Sequence, residues 1–267
     1  MLSSIGLLKR LTDKNNIILL DRGNTAIKLA LEIARLAGKK NVLLQDQGGW
    51  LTYKQFSKKL KMKIVYLKTD YGLVLKDDLM KKSSSDAVLL VNYLAGYHAE
   101  QNIGMIQNAC SANECMLIND VTGMPVKDAS VGDIIIASFG KAKPINLGYG
   151  GMLAANFEID DDLTKKYEAK RFNDAWLEEL SVKLKGLNRR LKFLLSINKK
   201  IKKELVELGF EVLHPNHRGL NVIALFKNAV EREKLIKYCE MNNYEFVECP
   251  KQIKVLANAI SIEVKRL

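Results

Sequence analysis

Gly132-Asp133-Ile134-Ile135-Ile136-Ala137-Ser138-Phe139-Gly140-Lys141-Ala142-Lys143-Pro144-Ile145-Asn146-Leu147-Gly148-Tyr149-Gly150-Gly151 is the stretch that decides the fold. Ile134 to Ala137 is an apolar run without polar alternation, which marks a strand covered on both faces, as in a parallel sheet between helices. The run delivers Ser138, then two lysines, then a glycine-rich turn into a second apolar strand over Gly151–Asn156. Upstream, similar runs occur at Ile17–Leu20, Val42–Leu44, Ile64–Leu67, Ala87–Val91 and Met116–Ile118. Helix-like segments at Thr25–Ala37, Thr52–Leu60 and Asn102–Ala112 fall between them. This alternation predicts an α/β fold with a mainly parallel sheet and helices on both faces. Ligands of such sheets bind beyond the carboxyl ends of the strands. That places chemistry in the loops Asp21–Thr25, Gln45–Trp50, Asn119–Gly123 and Ser138–Gly151.

Downstream, Asp161 to Leu208 is rich in lysine and keeps apolar residues at helical spacing, which predicts one long or two consecutive helices with an interruption near Gly186. Beyond Gly209 come a strand around Val222–Phe226, a helix at Val230–Met241, and strands at Tyr244–Val247 and Ala259–Val264. The expected organisation is therefore a large α/β domain over residues 1–160, linking helices over 161–208 and a small α+β domain over 209–267. A chain of 267 residues can bury a core of that size and carry a second module.

The remaining composition excludes more than it assigns. No run reaches the length of a membrane span, and the short apolar patch before Lys9-Arg10 is too weak for a signal peptide, so a cytoplasmic protein without membrane contact is expected. Cys110, Cys115, Cys239 and Cys249 lack metal-site spacing and read as buried thiols, and His98, His214 and His217 receive no role. No metal is expected. The formal charge of +12 suits an anionic partner or a lysine-rich surface equally well. Nucleic acid is not expected, because charge runs such as Lys199-Lys200 on a helix are usually a solvated face.

Two loops carry residue types suited to catalysis. Asp21-Arg22-Gly23-Asn24-Thr25 runs directly into an amphipathic helix, where backbone N–H groups and the helix dipole form an anion site. The same loop also reads as an ordinary Asn or Thr cap. A lysine following the Ile134–Ala137 strand would be partly desolvated, which lowers its pKa and makes a nucleophilic amine. Taken alone, Lys141 and Lys143 also read as surface lysines flanking a turn.

The order Gly-Asn-Thr-Ala, a strand-borne Asp, Ser-Phe-x-x-x-Lys and Gly-x-Gly-Gly, spread from Ile17 to Phe157, resembles the DegT/DnrJ/EryC1/StrS family of sugar aminotransferases, which use pyridoxal 5′-phosphate (PLP). The resemblance implies fold-type I: a seven-stranded, mainly parallel sheet between helices, with a small C-terminal α+β domain. It selects Lys143 over Lys141 as the lysine that forms the Schiff base. It matches Gly23, Asn24, Thr25 and Ser138 to the phosphate cradle, Trp50 to the aromatic ring that stacks on the pyridine, and Asp120 to the aspartate that holds the pyridine nitrogen protonated. Asn92 aligns near a polar residue of the fourth-strand loop, as a further cofactor contact.

The activity implied is transfer of an amino group from an amino-acid donor to a carbonyl acceptor, sugars included, in a homodimer with shared active sites. Three departures bear on substrate more than on cofactor. Gly123 stands where the family has a glutamine or histidine, Tyr149 stands where the glycine turn has an acid, and the chain is shorter than typical members. Another fold-type I reaction (lyase, desulfurase or racemase) and a non-catalytic basic binding protein that kept the fold are the alternatives.

Overall fold

The computed structural model describes residues 3–267. Seven strands form the main sheet: β1 (Asn16–Leu20), β2 (Asn41–Gln45), β3 (Lys63–Leu67), β4 (Ala87–Asn92), β5 (Met116–Asp120), β6 (Ile134–Ser138) and β7 (Gly151–Ala155). Their spatial order is β1-β7-β6-β5-β4-β2-β3. β2 to β6 pair in parallel, whereas β7 runs antiparallel to both β6 and β1. All six residues of β4 are buried, which is why this strand reads as an unbroken apolar run.

Register brings the strand ends together. Asn92 lies opposite Asp120, and Asp120 lies opposite Ile136. On the other flank Gly151 lies opposite both Ser138 and Leu20. Because β7 reverses direction twice across its two pairings, β1 is parallel to β6, and the carboxyl ends of β1, β2, β4, β5 and β6 share one edge.

Helices cover both faces. α1 (Ser4–Thr12) packs on α7, with the Ser4 hydroxyl donating to the Leu177 carbonyl at 2.6 Å. α2 (Gly23–Leu36) buries Ala26, Ile27, Ala30, Ile33 and Ala34 against the sheet, and it ends before Gly38, whose φ of +82° suits a left-handed helix stop. α3 (Leu51–Lys59), α4 (Lys76–Lys82) and α5 (Ile103–Ala112) complete the layers.

The long segment differs from its sequence reading in where it breaks. A short helix α6 (Asp161–Lys166) and irregular turns precede α7 (Leu177–Glu207), which passes through Gly186 without interruption. A side chain at Gly186 would meet nothing, so the glycine weakens the helix without bending it. Leu180, Leu187, Leu191, Leu194, Ile201 and Leu205 recur at helical spacing along the buried stripe of α7.

The C-terminal module has an antiparallel sheet in the order β8 (Val222–Leu225), β10 (Ala259–Ile262), β9 (Phe246–Cys249), with α8 (Ala229–Met241) against it. One continuous apolar core runs from Phe139 and Ile145 through Leu187 and Leu194 to Val222, Ile260 and Val264. The module is therefore packed onto the main sheet through α7. No helix among the described residues is long and apolar enough to cross a membrane. All four cysteines are free and buried.

Candidate active site

A cavity opens at the carboxyl edge of the main sheet, where ligands of such sheets bind. Gly23, Asn24, Trp50, Asn92, Asp120, Ser138 and Lys143 all line it. They come from five different loops, and the strand register described above brings those loops together.

Thr25 is the exception among the nominated residues. It does not line the cavity, and its hydroxyl donates to Asp21 Oδ1 at 2.5 Å. Its backbone N–H turns back to the Arg22 carbonyl at 3.1 Å. Thr25 therefore secures the start of α2, and the cavity side of that turn belongs to Gly23 and Asn24. The local geometry at Gly23 is tight: a Cβ built there would lie 2.5 Å from Ser138 Cβ and 2.9 Å from its hydroxyl. Only glycine allows the α2 N-terminus to approach the end of β6 so closely.

Trp50 precedes α3, and its indole N–H donates to Asn24 Oδ1 at 3.2 Å. Thr52 donates to the same oxygen at 3.2 Å, so Asn24 fastens the ring in place. Asn92 is held by backbone contacts: its N–H donates to Gln45 Oε1 at 3.0 Å and its Oδ1 accepts from the Leu94 N–H at 3.2 Å. Ser138 hangs from Thr122, whose hydroxyl accepts the Ser138 N–H at 2.8 Å.

Asp120 is buried at the end of β5. Its Oδ1 accepts the Thr122 N–H at 2.9 Å and its Oδ2 accepts the Tyr53 hydroxyl at 2.6 Å. Burial raises its pKa, opposed by those two donors and by the positive charge of Lys143. Burial and the same carboxylate push the Tyr53 phenol well above its ordinary value. The Tyr53 phenol thus stays protonated and donates to the buried Asp120 side chain.

Lys143 reaches in from the loop between β6 and β7, whereas Lys141 is exposed. The Lys143 ammonium lies 5.1 Å from the centre of the Trp50 ring and 4.7 Å from that of Tyr97, and it donates to the Tyr97 hydroxyl at 2.7 Å. Burial lowers its pKa to about 8, and the Lys254 charge adds to that, while Asp120 and Glu263 oppose it. The result is an amine of which about a tenth is uncharged at pH 7, far more than at an ordinary lysine.

Sequence reading missed Tyr53, Tyr97 and Thr122. Tyr97 follows β4 with a φ of +68°, a backbone conformation that tertiary contacts impose. It also explains the glycine at 123, because a Cβ there would lie 2.8 Å from Leu94 Cβ and 3.3 Å from the Tyr97 ring. Space that a longer side chain at 123 would need is filled by Leu94 and Tyr97. In the glycine turn, Tyr149 packs its ring on Phe172 and Trp176, and its hydroxyl accepts the Asn173 N–H at 3.0 Å.

Sheet order and a cavity on this edge define the class: the chain has the fold of the fold-type I PLP-dependent transferases. A serine palmitoyltransferase from Sphingomonas wittichii superposes with a TM-score of 0.75 over 96% of this chain and 68% of its own, at 13% identity. A protein described as a sugar aminotransferase from Streptococcus pneumoniae, in its PLP form, gives 0.74 over 96% and 84% at 13% identity. A DegT DnrJ EryC1 StrS aminotransferase from Brucella abortus gives 0.73 over 96% and 82%, again at 13% identity. Likeness at that identity is a likeness of fold. By sequence, residues 188–267 match the family described as the MJ1341 family C-terminal domain, and no curated protein matches the chain.

Proposed function

We propose that the chain is a PLP-dependent aminotransferase of the DegT/DnrJ/EryC1/StrS type, moving an amino group from an amino-acid donor to a carbonyl acceptor, with sugars among the acceptors to test. The observation that carries the reading is the convergence of Lys143, Asp120 and Trp50 on one cavity that also holds Ser138 and the N-terminal turn of α2. The residues fit the cofactor in two independent ways. The cradle of Gly23 and Ser138 is one a side chain would fill, and a helix N-terminus beside a serine suits a phosphate. The buried Asp120 carboxylate has donors from Tyr53 and Thr122 and gains a charged partner in a protonated pyridine nitrogen.

Bound PLP supplies an electron sink for negative charge on the substrate carbon beside nitrogen. The other tasks fall to the chain. Gly23, Asn24 and Ser138 hold the phosphate, Trp50 offers its ring face, and Asp120 keeps the proton on the pyridine nitrogen. Lys143, partly uncharged near its pKa of about 8, is the nucleophile, and afterwards its free amine carries the proton from the substrate carbon. Tyr97 keeps that amine aimed by accepting its hydrogen bond at 2.7 Å.

A homodimer belongs to the proposal. Val182 and Phe193 on α7 are 60% and 51% exposed, and they flank Pro144 and Ile145 of the loop that carries Lys143. Apolar surface next to such a loop suits a second copy of the chain. Sedimentation equilibrium is expected to give twice the chain mass, and a monomer at high concentration would refute the dimer.

The direct test is the visible spectrum after addition of PLP, for the parent and for Lys143→Ala. A band in the parent that is absent from the variant is the expected result. No band in either leaves the basic, non-catalytic binding protein. A second enzyme reading, a lyase, desulfurase or racemase on the same cofactor, is favoured by Gly123 and Tyr149, where the chain departs from the aminotransferase pattern. Product analysis with a panel of amino acids and 2-oxo acids separates it from transamination.

A further inference from the structure

The C-terminal module places an unusual group of charges against Tyr97. Lys254 and Lys265 are 4% and 6% exposed, and both are bonded to the single carboxylate of Glu263, itself 3% exposed. Lys254 Nζ donates to Glu263 Oε1 at 2.7 Å, where the Ser261 hydroxyl at 2.8 Å and Asn221 Nδ2 at 3.0 Å also donate. Lys265 Nζ donates to the other oxygen and to Asn221 Oδ1 at 3.2 Å. The same two ammonium groups lie 5.6 and 4.9 Å from the centre of the Tyr97 ring, to which Lys143 also comes within 4.7 Å. Leu220 and Asn221 donate their backbone N–H groups to the Tyr97 carbonyl at 2.7 and 2.8 Å, which fastens the ring to this cluster.

Burying one ion pair costs several kcal/mol before its attraction is counted. Lys254, Lys265 and, at 3.8 Å, Arg266 gather on one carboxylate and leave an excess of positive charge around it, which stability alone does not reward. We propose that Lys254 and Lys265 are positioning residues for the active-site amine: their excess charge, held against Tyr97 by Glu263, biases Lys143 toward its uncharged, nucleophilic form. The inference rests on the reading of Lys143 as the reacting amine. A neighbouring cation is an effective means of keeping a lysine uncharged.

The charged and titratable groups facing Lys143 act in both directions. From the main sheet come the Asp120 carboxylate, which favours the charged amine, and the neutral phenol of Tyr97. From the C-terminal module, Lys254 and Arg266 disfavour the charge and Glu263 favours it. Burial, then the Lys254 charge, brings Lys265 down to about 7, and Lys143 adds to that. Removing either lysine alone leaves Glu263 paired with the other and with Arg266, so Lys254→Met and Lys265→Met are each compatible with a folded core. Lys254→Arg keeps the charge.

The test reads the Lys143 amine without any cofactor. Trace acetylation with acetic anhydride across pH 6 to 11, followed by mass spectrometry, yields the pKa of Lys143, with exposed Lys192 of α7 as the internal reference. Lys254→Met should raise the Lys143 pKa by roughly one unit, a roughly tenfold loss of reactive amine at neutral pH, and Lys265→Met, which removes an amine already mostly uncharged where Lys143 titrates, should raise it by less. Lys254→Arg should restore the parent value. Circular dichroism identifies any variant that fails to fold, and the remaining one then carries the test. An unmoved Lys143 pKa in the folded methionine variants, or an arginine variant that shifts as far as the methionine one, overturns the proposal. A parent that binds no PLP while these shifts occur as stated would instead refute the function and leave the charge relation standing.

Discussion

Tyr53 donates its hydroxyl to Asp120 Oδ2 across 2.6 Å, and both groups are buried. The carboxylate sits at the end of β5 and the phenol on the inner face of α3, so the bond ties the helix to the floor of the cavity. A hydrogen bond to a buried charge contributes about 1.5–3 kcal/mol. Tyr53→Phe removes one of two donors and raises the Asp120 pKa further, since the phenol is one of the groups that lower it. PLP affinity in a spectrophotometric titration should fall about tenfold, which corresponds to ~1.4 kcal/mol. Unchanged affinity would reduce Tyr53 to a packing residue.

Lys143 carries a stability cost whose pH dependence has a defined sign. Its folded pKa of about 8 lies below the ordinary 10.5, so between these values the unfolded chain binds more protons than the folded one. Stability contributed by this site therefore rises with pH from about 8 to 10.5, and below 8 the charged, buried amine costs on the order of 3 kcal/mol. Lys143→Met should stabilise the cofactor-free protein at pH 7, and the gain should shrink toward pH 10.5. Urea denaturation at the two pH values checks this, and a gain independent of pH would show that the amine is not perturbed.

Much of this arrangement is legible in the sequence, for identifiable reasons. Buried parallel strands need unbroken apolar runs, so β4 and β6 stand out, and the residues at their carboxyl ends, Asn92 and Ser138, follow from them. Tyr53 and Tyr97 were not legible, because a buried tyrosine in an apolar context looks the same whether its hydroxyl meets a carboxylate or a backbone carbonyl. Neither was the cluster of Lys254, Glu263 and Lys265, whose parts lie among ordinary surface-type lysines and meet only through the folding of β10 onto Asn221. Gly186 misled for the opposite reason: a glycine at an open helix position marks no break when the buried stripe of α7 continues past it.

Gly23 tests the cradle by sterics alone. A methyl group there would fall 2.5 Å from Ser138 Cβ, at a point where β6, β7 and the start of α2 meet, and Gly151 already approaches the Gly23 backbone within 2.7 Å of its own built Cβ. Neither side can withdraw without moving a strand. Overpacking of this kind costs about 1–3 kcal/mol. Gly23→Ala should lower the melting temperature and weaken PLP binding, whereas Thr25→Val, which loses only the bond to Asp21, should affect stability more than PLP binding. If PLP binding survives Gly23→Ala intact, the phosphate is not held at this turn.

The three histidines, dispersed in sequence, meet in space. His98 stacks on His214 at 5.7 Å between ring centres, and His214 lies 5.3 Å from His217. Buried Lys202 donates to the carbonyls of His214 and His217 at 2.9 and 2.6 Å. The His98 ring is wholly buried, so burial, then the charges of His214, Lys202 and Lys254, bring its pKa down to about 3 against a weak backbone contact from Tyr71. Between that value and the ordinary 6.5 the unfolded chain binds the extra proton, so stability is lost as the pH falls through this window, at ~1.4 kcal/mol per unit. The His98 ring stacks on His214 of the C-terminal module, and the His98 backbone meets the turn at Gly219, where a side chain would lie 2.4 Å from the His98 carbonyl. Acid should therefore loosen the contact between main sheet and C-terminal module before either unfolds alone. His98→Phe keeps the ring and removes the proton site, and it should flatten the decline in melting temperature between pH 6.5 and about 3. An equally steep decline in that variant would assign the acid sensitivity to other groups.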